Sequence, residues 1–254
     1  MLRNFLISQG ADAPLERRWW LALVLPLWVV ASFVLAQLIL AAVYYLVLSA
    51  GVVLDGINSS VVNTFIAACV YILTLVIVLG VPWLIKKKRT TLNDLGLQGL
   101  PTWSDIGLAP IGFILYLLAS AIVVYVFGMI VPSFDASQTQ NVGFENLSQQ
   151  YEYVLAFITL VIIAPIAEET LFRGYLFSKL RRAVPLWVAM LVTSVLFGAV
   201  HGQWNVGIDV FVLSMVACGL REVTGSIWAG ILLHMIKNGL AFYILFINTS
   251  FLIQ

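Results

Sequence analysis

Charge is scarce in this chain. Asp, Glu, Lys and Arg make up 10% of its 254 residues, against 62% hydrophobic residues. A soluble domain carries about 25% charge and about 45–50% apolar residues, so a water-soluble globule is excluded. The formal net charge of +1 marks no nucleic-acid surface, and no nucleic-acid partner is expected. Cysteine is equally rare: Cys69 and Cys218 both lie in apolar runs, where they read as small hydrophobes rather than a disulfide or a thiolate metal site. Histidine occurs only at His201 and His234. The polar start "MLRNFLISQGADAPLERRWW" precedes an apolar run far longer than a signal-peptide core, so no removable leader is expected.

Long hydrophobic runs are abundant. A helix needs roughly 20 apolar residues to cross a bilayer, and seven spans are expected at about 20–50, 60–85, 105–132, 152–178, 185–200, 206–220 and 224–249. Eight is the alternative count. The runs lack the alternation of a β-barrel, and in lipid the backbone must satisfy itself, so the fold class is all-α: a polytopic transmembrane helix bundle. Arg3, Arg17, Arg18, Lys86, Lys87, Lys88, Arg89, Lys179, Arg181, Arg182 and Arg221 then fall on one side, 11 of 13 basic residues. By the positive-inside rule the N-terminus is cytoplasmic. The expected divisions are a cytoplasmic tail (1–18), N-terminal spans (19–132), an outer loop (133–151) and a C-terminal membrane segment (152–250) that carries the chemistry, all in one membrane domain. Within the inner loop, "TLNDLGL" reads as a capped helix start. Trp19, Trp20, Trp83, Trp187 and Trp204 read as interfacial belt residues.

Four features interrupt the apolar pattern of the C-terminal half: "EETLFR" (Glu168–Arg173), "FGAVH" (Phe197–His201), "HMIKN" (His234–Asn238) and Asp209. Ionisable groups at membrane depth are costly and face an interior or a wet cavity. Glu169 and Arg173 are four apart and share a helix face, whereas Glu168 lies about 100° away. Glu169 can therefore balance Arg173, with Glu168 left free. His234 and Asn238 also share a face. A carboxylate that accepts a proton from water, a histidine that orients the water, and histidine and amide donors for an oxyanion suffice for water attack on an amide. Glu168, His201 and His234 could equally hold zinc, so a metal-dependent and a metal-free glutamate mechanism both stand open.

Each feature also has a plain structural reading. Glu169–Arg173 is a structural ion pair, His201 an interfacial histidine, and Asn238 a helix–helix donor. Lys237 snorkels or balances a carboxylate, and Asp209 caps a helix or meets the outer interface. Two other functions compete with hydrolysis: a non-enzymatic immunity or partner-binding membrane protein, and an ion-coupled transporter, although no inverted repeat supports the latter.

Taken together, E-E-x-x-x-R, F-x-x-x-H and H-x-x-x-N resemble the signature of CPBP intramembrane endopeptidases. That family includes type II CAAX prenyl endopeptidases and the Abi proteins of bacteriocin processing and self-immunity. The resemblance covers about Tyr151 to Phe246, and the three N-terminal spans carry no matching motif. It implies proteolysis within the membrane. Glu168 and His201 would activate water, His234 and Asn238 would stabilise the oxyanion, and Glu169 and Arg173 would support the site. The implied partners are membrane lipids and a peptide or protein substrate, a prenylated CAAX tail among the options. The implied location is a bacterial cell membrane.

Depth imposes one further condition. Glu168 lies roughly 24 Å along an inward span and His201 roughly 24 Å along an outward one, so they meet only if the fifth–sixth hairpin is short. Both its spans are expected to be about 15 residues long.

Overall fold

The computed structural model describes residues 18–52, 58–87, 89–136, 138, 144 and 147–248. Most of the expected cytoplasmic tail and part of the 133–151 loop lie outside these. The described chain is helical, without strands: α1 (Leu21–Ser49), α2 (Ser59–Lys86), the short α3 (Leu92–Leu95), α4 (Trp103–Ile130), α5 (Gln150–Arg181), α6 (Leu186–Ala199), α7 (Trp204–Thr224) and α8 (Trp228–Ile247). Every expected span coincides with one helix. α1, α4, α5, α8 and the Val61–Lys86 part of α2 are long and apolar enough to cross a membrane.

Capping organises the loop before α4. The Thr91 and Thr102 side chains accept from the backbone N–H of Asp94 and Asp105, and both carboxylates answer to the threonine N–H, closing two capping boxes. The first is the helix start anticipated in "TLNDLGL". Thr91 and Arg182 hold the Asp94 carboxyl below the usual carboxylate range. Arg182 pairs with Asp94 at 2.9 Å, Arg181 with Glu222 at 2.9 Å, and the Arg18 N–H donates to Ala183 O. The basic connections therefore gather at one end of the bundle, as their charge pattern requires.

The α6–α7 hairpin differs in part from expectation. α6 has 14 residues, about 21 Å, and is short as foreseen. α7 has 21 residues rather than about 15, because Asn205, Asp209 and Arg221 break the apolar run without breaking the helix. The two arms meet backbone to backbone. A Cβ on Gly198 would sit 2.6 Å from Gly207 O, and one on Gly207 3.0 Å from Gly198 O, so only glycine allows this approach.

α5 is the central element. It packs against α2, α6, α7 and α8 and contains two π-helical stretches, Ile158–Ile163 and Thr170–Phe177. Such wide turns leave carbonyls without their usual partners. Ser178 Oγ donates to one of them, Arg173 O, at 3.0 Å.

Candidate active site

The site grows out of α5. Glu169 and Arg173 are fully buried and meet at 2.9 Å through Nη1 and Oε1. The contact is off the line of a good hydrogen bond, and Glu169 Oε2 has no hydrogen-bond partner among the described residues. The guanidinium also lies 4.4 Å over the Phe197 ring, a cation–π contact strengthened by burial. Phe197 in turn stands edge-on to His201 (centroids 5.0 Å) and to His234 (5.9 Å). The phenylalanine of F-x-x-x-H thus packs against both histidines and against the arginine of the ion pair.

Glu169 does more than balance Arg173. His234 Nδ1 lies 3.1 Å from Glu169 Oε1. A carboxylate only accepts, so Nδ1 carries the proton and Nε2 is turned outward. That Nε2 is 3.9 Å from Glu168 Oε2. The approach of α8 needs a glycine here as well: a Cβ on Gly230 would lie 3.0 Å from Glu169 Oε2.

Glu168 faces away from the pair, as its angular offset predicts, with its side chain 15% exposed. It has a partner that the helix alone does not reveal. Tyr71 Oη, on α2, donates to Glu168 Oε1 at 2.6 Å. The N-terminal spans carry no matching motif, yet one of them reaches the site through this bond. A tyrosine in an apolar run carries no motif, and only its hydroxyl marks it.

His201 sits in the α6–α7 turn. Its Nδ1 is 2.7 Å from Phe197 O. The carbonyl fixes the proton on Nδ1 and leaves Nε2 as an acceptor.

Asn238 is oriented by a backbone irregularity. Within the first π-helical stretch, Ala164 N–H turns back to Thr159 O, and the next residue, Pro165, has no N–H. The carbonyl of Leu160 is left open, and Asn238 Nδ2 donates to it at 2.9 Å. The helix–helix reading of Asn238 is therefore realised, while its second N–H stays available.

Tyr71, Glu168, His201, His234, Lys237 and Asn238 line one cavity of about 200 Å³. Glu168 and His201 share this cavity despite their separation along the chain, although only the α6 arm of the hairpin is short. A second, apolar cavity of about 170 Å³, walled by Val29, Phe33, Leu171 and Phe172, adjoins it across Tyr71, Glu168 and His201.

Asp209 lies inside α7, whose N-cap is Gln203, so it is not a cap. It accepts from Tyr116 Oη (2.5 Å) and Ser120 Oγ (2.8 Å) of α4, and Lys237 Nζ lies 3.5 Å from its other oxygen. Lys237 thus balances a carboxylate, and the cluster ties α4, α7 and α8 together.

The donor set does not suit zinc. Among the described residues, no group of three His, Cys, Asp or Glu side chains is placed to hold a metal ion. His201 Nε2, His234 Nε2 and Glu168 Oε2 are left open by their other bonds, so what is missing is the convergence of three ligands on one point.

Residues 150–240 match the family model of the Rce1-like type II CAAX prenyl endopeptidases. All three motifs fall inside that segment, so the resemblance read from them is borne out. An "Uncharacterized 24.3 kDa protein" of Escherichia coli is 33% identical over 89 residues, 33% of this chain and 41% of that protein. The chain thus spans less than half the length of that relative. The UPF0177 protein YxdF of Lactococcus lactis is 28% identical over 129 residues, 51% of this chain and 67% of that protein. No solved structure matches. With its apolar helices, the chain is an integral multi-pass membrane protein.

Proposed function

We propose that this protein is an intramembrane endopeptidase of CAAX type in which Glu168 activates the attacking water. The observation that carries this is a single cavity among apolar helices into which Glu168, His201, His234 and Asn238 all project. Glu168 Oε2 faces the cavity and takes the water proton, and His201 Nε2 accepts from the same water and fixes its approach. As the carbonyl becomes tetrahedral, the free N–H of Asn238 donates to the oxyanion. His234 Nε2 donates as well when the ring is an imidazolium, the form in which both its nitrogens carry protons. Glu169 holds the His234 ring, and Arg173 holds Glu169. Glu168 then returns its proton to the leaving amine. No step needs a metal. The substrate proposed is a peptide that reaches the cavity from the bilayer, with a prenylated C-terminal tail as the first to try.

The test is hydrolysis of internally quenched peptides, with and without a prenylated C-terminal CAAX tail, by the purified protein in lipid nanodiscs, with products identified by mass spectrometry. Cleavage at one bond by the wild type, lost in both Glu168→Ala and His201→Ala, is expected. Equal cleavage by Glu168→Ala rejects the proposal. An ion-coupled transporter would instead move protons across liposomes without cutting peptide.

A further inference from the structure

Tyr71 lies far outside the 150–240 segment, yet among the described residues it makes the one hydrogen bond seen on Glu168. We infer that Tyr71 is a positioning residue for Glu168, so that the long apolar helix α2 supplies a working part of the active site. This rests on the endopeptidase reading for its consequence, not for its geometry.

Three observations carry the inference. The Tyr71 Oη to Glu168 Oε1 distance of 2.6 Å falls in the range of a charge-assisted O–H···O⁻ bond, roughly 2.5–2.7 Å. The bond selects one oxygen: with Oε1 held by Tyr71, Oε2 is the atom left beside His234 Nε2, at 3.9 Å. Tyr71 also stands on the wall shared by the polar and the apolar cavities, so its ring closes one side of the chamber while its hydroxyl faces the carboxylate. A tyrosine that only stapled α2 to α5 could use any acceptor on α5. This one uses the carboxylate whose other oxygen does the chemistry. The other titratable groups that face the chamber are His201, His234 and Lys237, and none of them is within hydrogen-bond reach of Glu168 Oε1.

Removing the hydroxyl frees the Glu168 side chain to rotate. Tyr71→Phe keeps the ring and the wall. In the peptide assay it is expected to lower kcat by about ten- to thirty-fold, the scale of one hydrogen bond to a charged group, with KM within about twofold. In a Glu168→Asp background the shortened carboxylate is beyond Tyr71, so the same substitution is expected to change kcat by less than about twofold; multiplicative losses would mark a packing role instead.

A second readout needs no catalysis. Dicyclohexylcarbodiimide is an apolar reagent that captures protonated carboxyls. Its adduct at Glu168, followed by mass spectrometry of the peptide spanning that residue, is expected to form at least about threefold faster in Tyr71→Phe than in wild type, because the phenol no longer restrains Oε1. Unchanged labelling overturns the inference, and so does a kcat within about twofold of wild type. Faster labelling in a protein whose wild type cuts no peptide would leave the Tyr71–Glu168 bond standing and bring down the endopeptidase reading.

Discussion

The two halves of the bundle bury very different shares of their residues. In α1, α2 and α4 the most apolar stretches are 17%, 17% and 11% buried, and large residues such as Leu38, Phe65 and Ile122 face outward. In α5 the corresponding stretch is 50% buried, and Glu169, Arg173, Thr193, Ser194 and Ser214 of the C-terminal helices are wholly enclosed. In water, apolar side chains go inside because they leave the solvent. In lipid that drive between helices is gone, and polar contacts and close packing hold helices together. The residues that look misplaced in this sequence are those at its centre. Tyr71 and Asp209 show the halves meeting: at each place an N-terminal helix lends a tyrosine or serine hydroxyl to a carboxylate on a C-terminal one.

The sharpest way to break this contrast is to remove a buried charge. Arg173→Ala leaves Glu169 enclosed without its cation, and stability is expected to fall by about 3–5 kcal/mol, read as a large drop in the thermal unfolding midpoint in detergent. An unchanged midpoint would mean that the pair is not buried as described. The glycine contact comes next. Gly198→Val must push α6 from α7 and carry His201 with it, so a loss of about 1–3 kcal/mol or more together with a fall in cleavage is expected. Gly80→Ala, where a Cβ meets nothing within 4 Å, is the control and should be neutral or slightly stabilising. The outward face should respond least: Leu38→Ala, 62% exposed, is expected to stay within about 0.5 kcal/mol. Chelators should do nothing to cleavage, because three metal ligands are not brought together among the described residues.

Much of the fold was legible because its determinants are local. Each apolar run became a helix near its expected bounds, and the one clear length error, α7, came from ending the span between Asn205 and Arg221. The offset between Glu168 and Glu169 followed from helix geometry alone. What escaped were the partners. That His234 rests on Glu169, that Asn238 reaches Leu160 O, and that Tyr71 holds Glu168 are contacts between helices 65, 78 and 97 residues apart in sequence. Helical periodicity carries no information at that range. Leu160 was readable only by someone who asked what Pro165 does to the turn before it. Tyr71 is one more aromatic in an apolar run until α5 is set beside it.

The central claim is that two adjacent glutamates do different work, Glu168 in chemistry and Glu169 in structure. The direct measurement is a side-by-side comparison of Glu168→Gln and Glu169→Gln for both peptide cleavage and unfolding midpoint in the same nanodiscs. The predicted result is that Glu168→Gln abolishes cleavage and leaves the midpoint near wild type, whereas Glu169→Gln lowers the midpoint by stranding Arg173 and His234. Cleavage by Glu168→Gln at the wild-type rate, or an unmoved midpoint in Glu169→Gln, would contradict it.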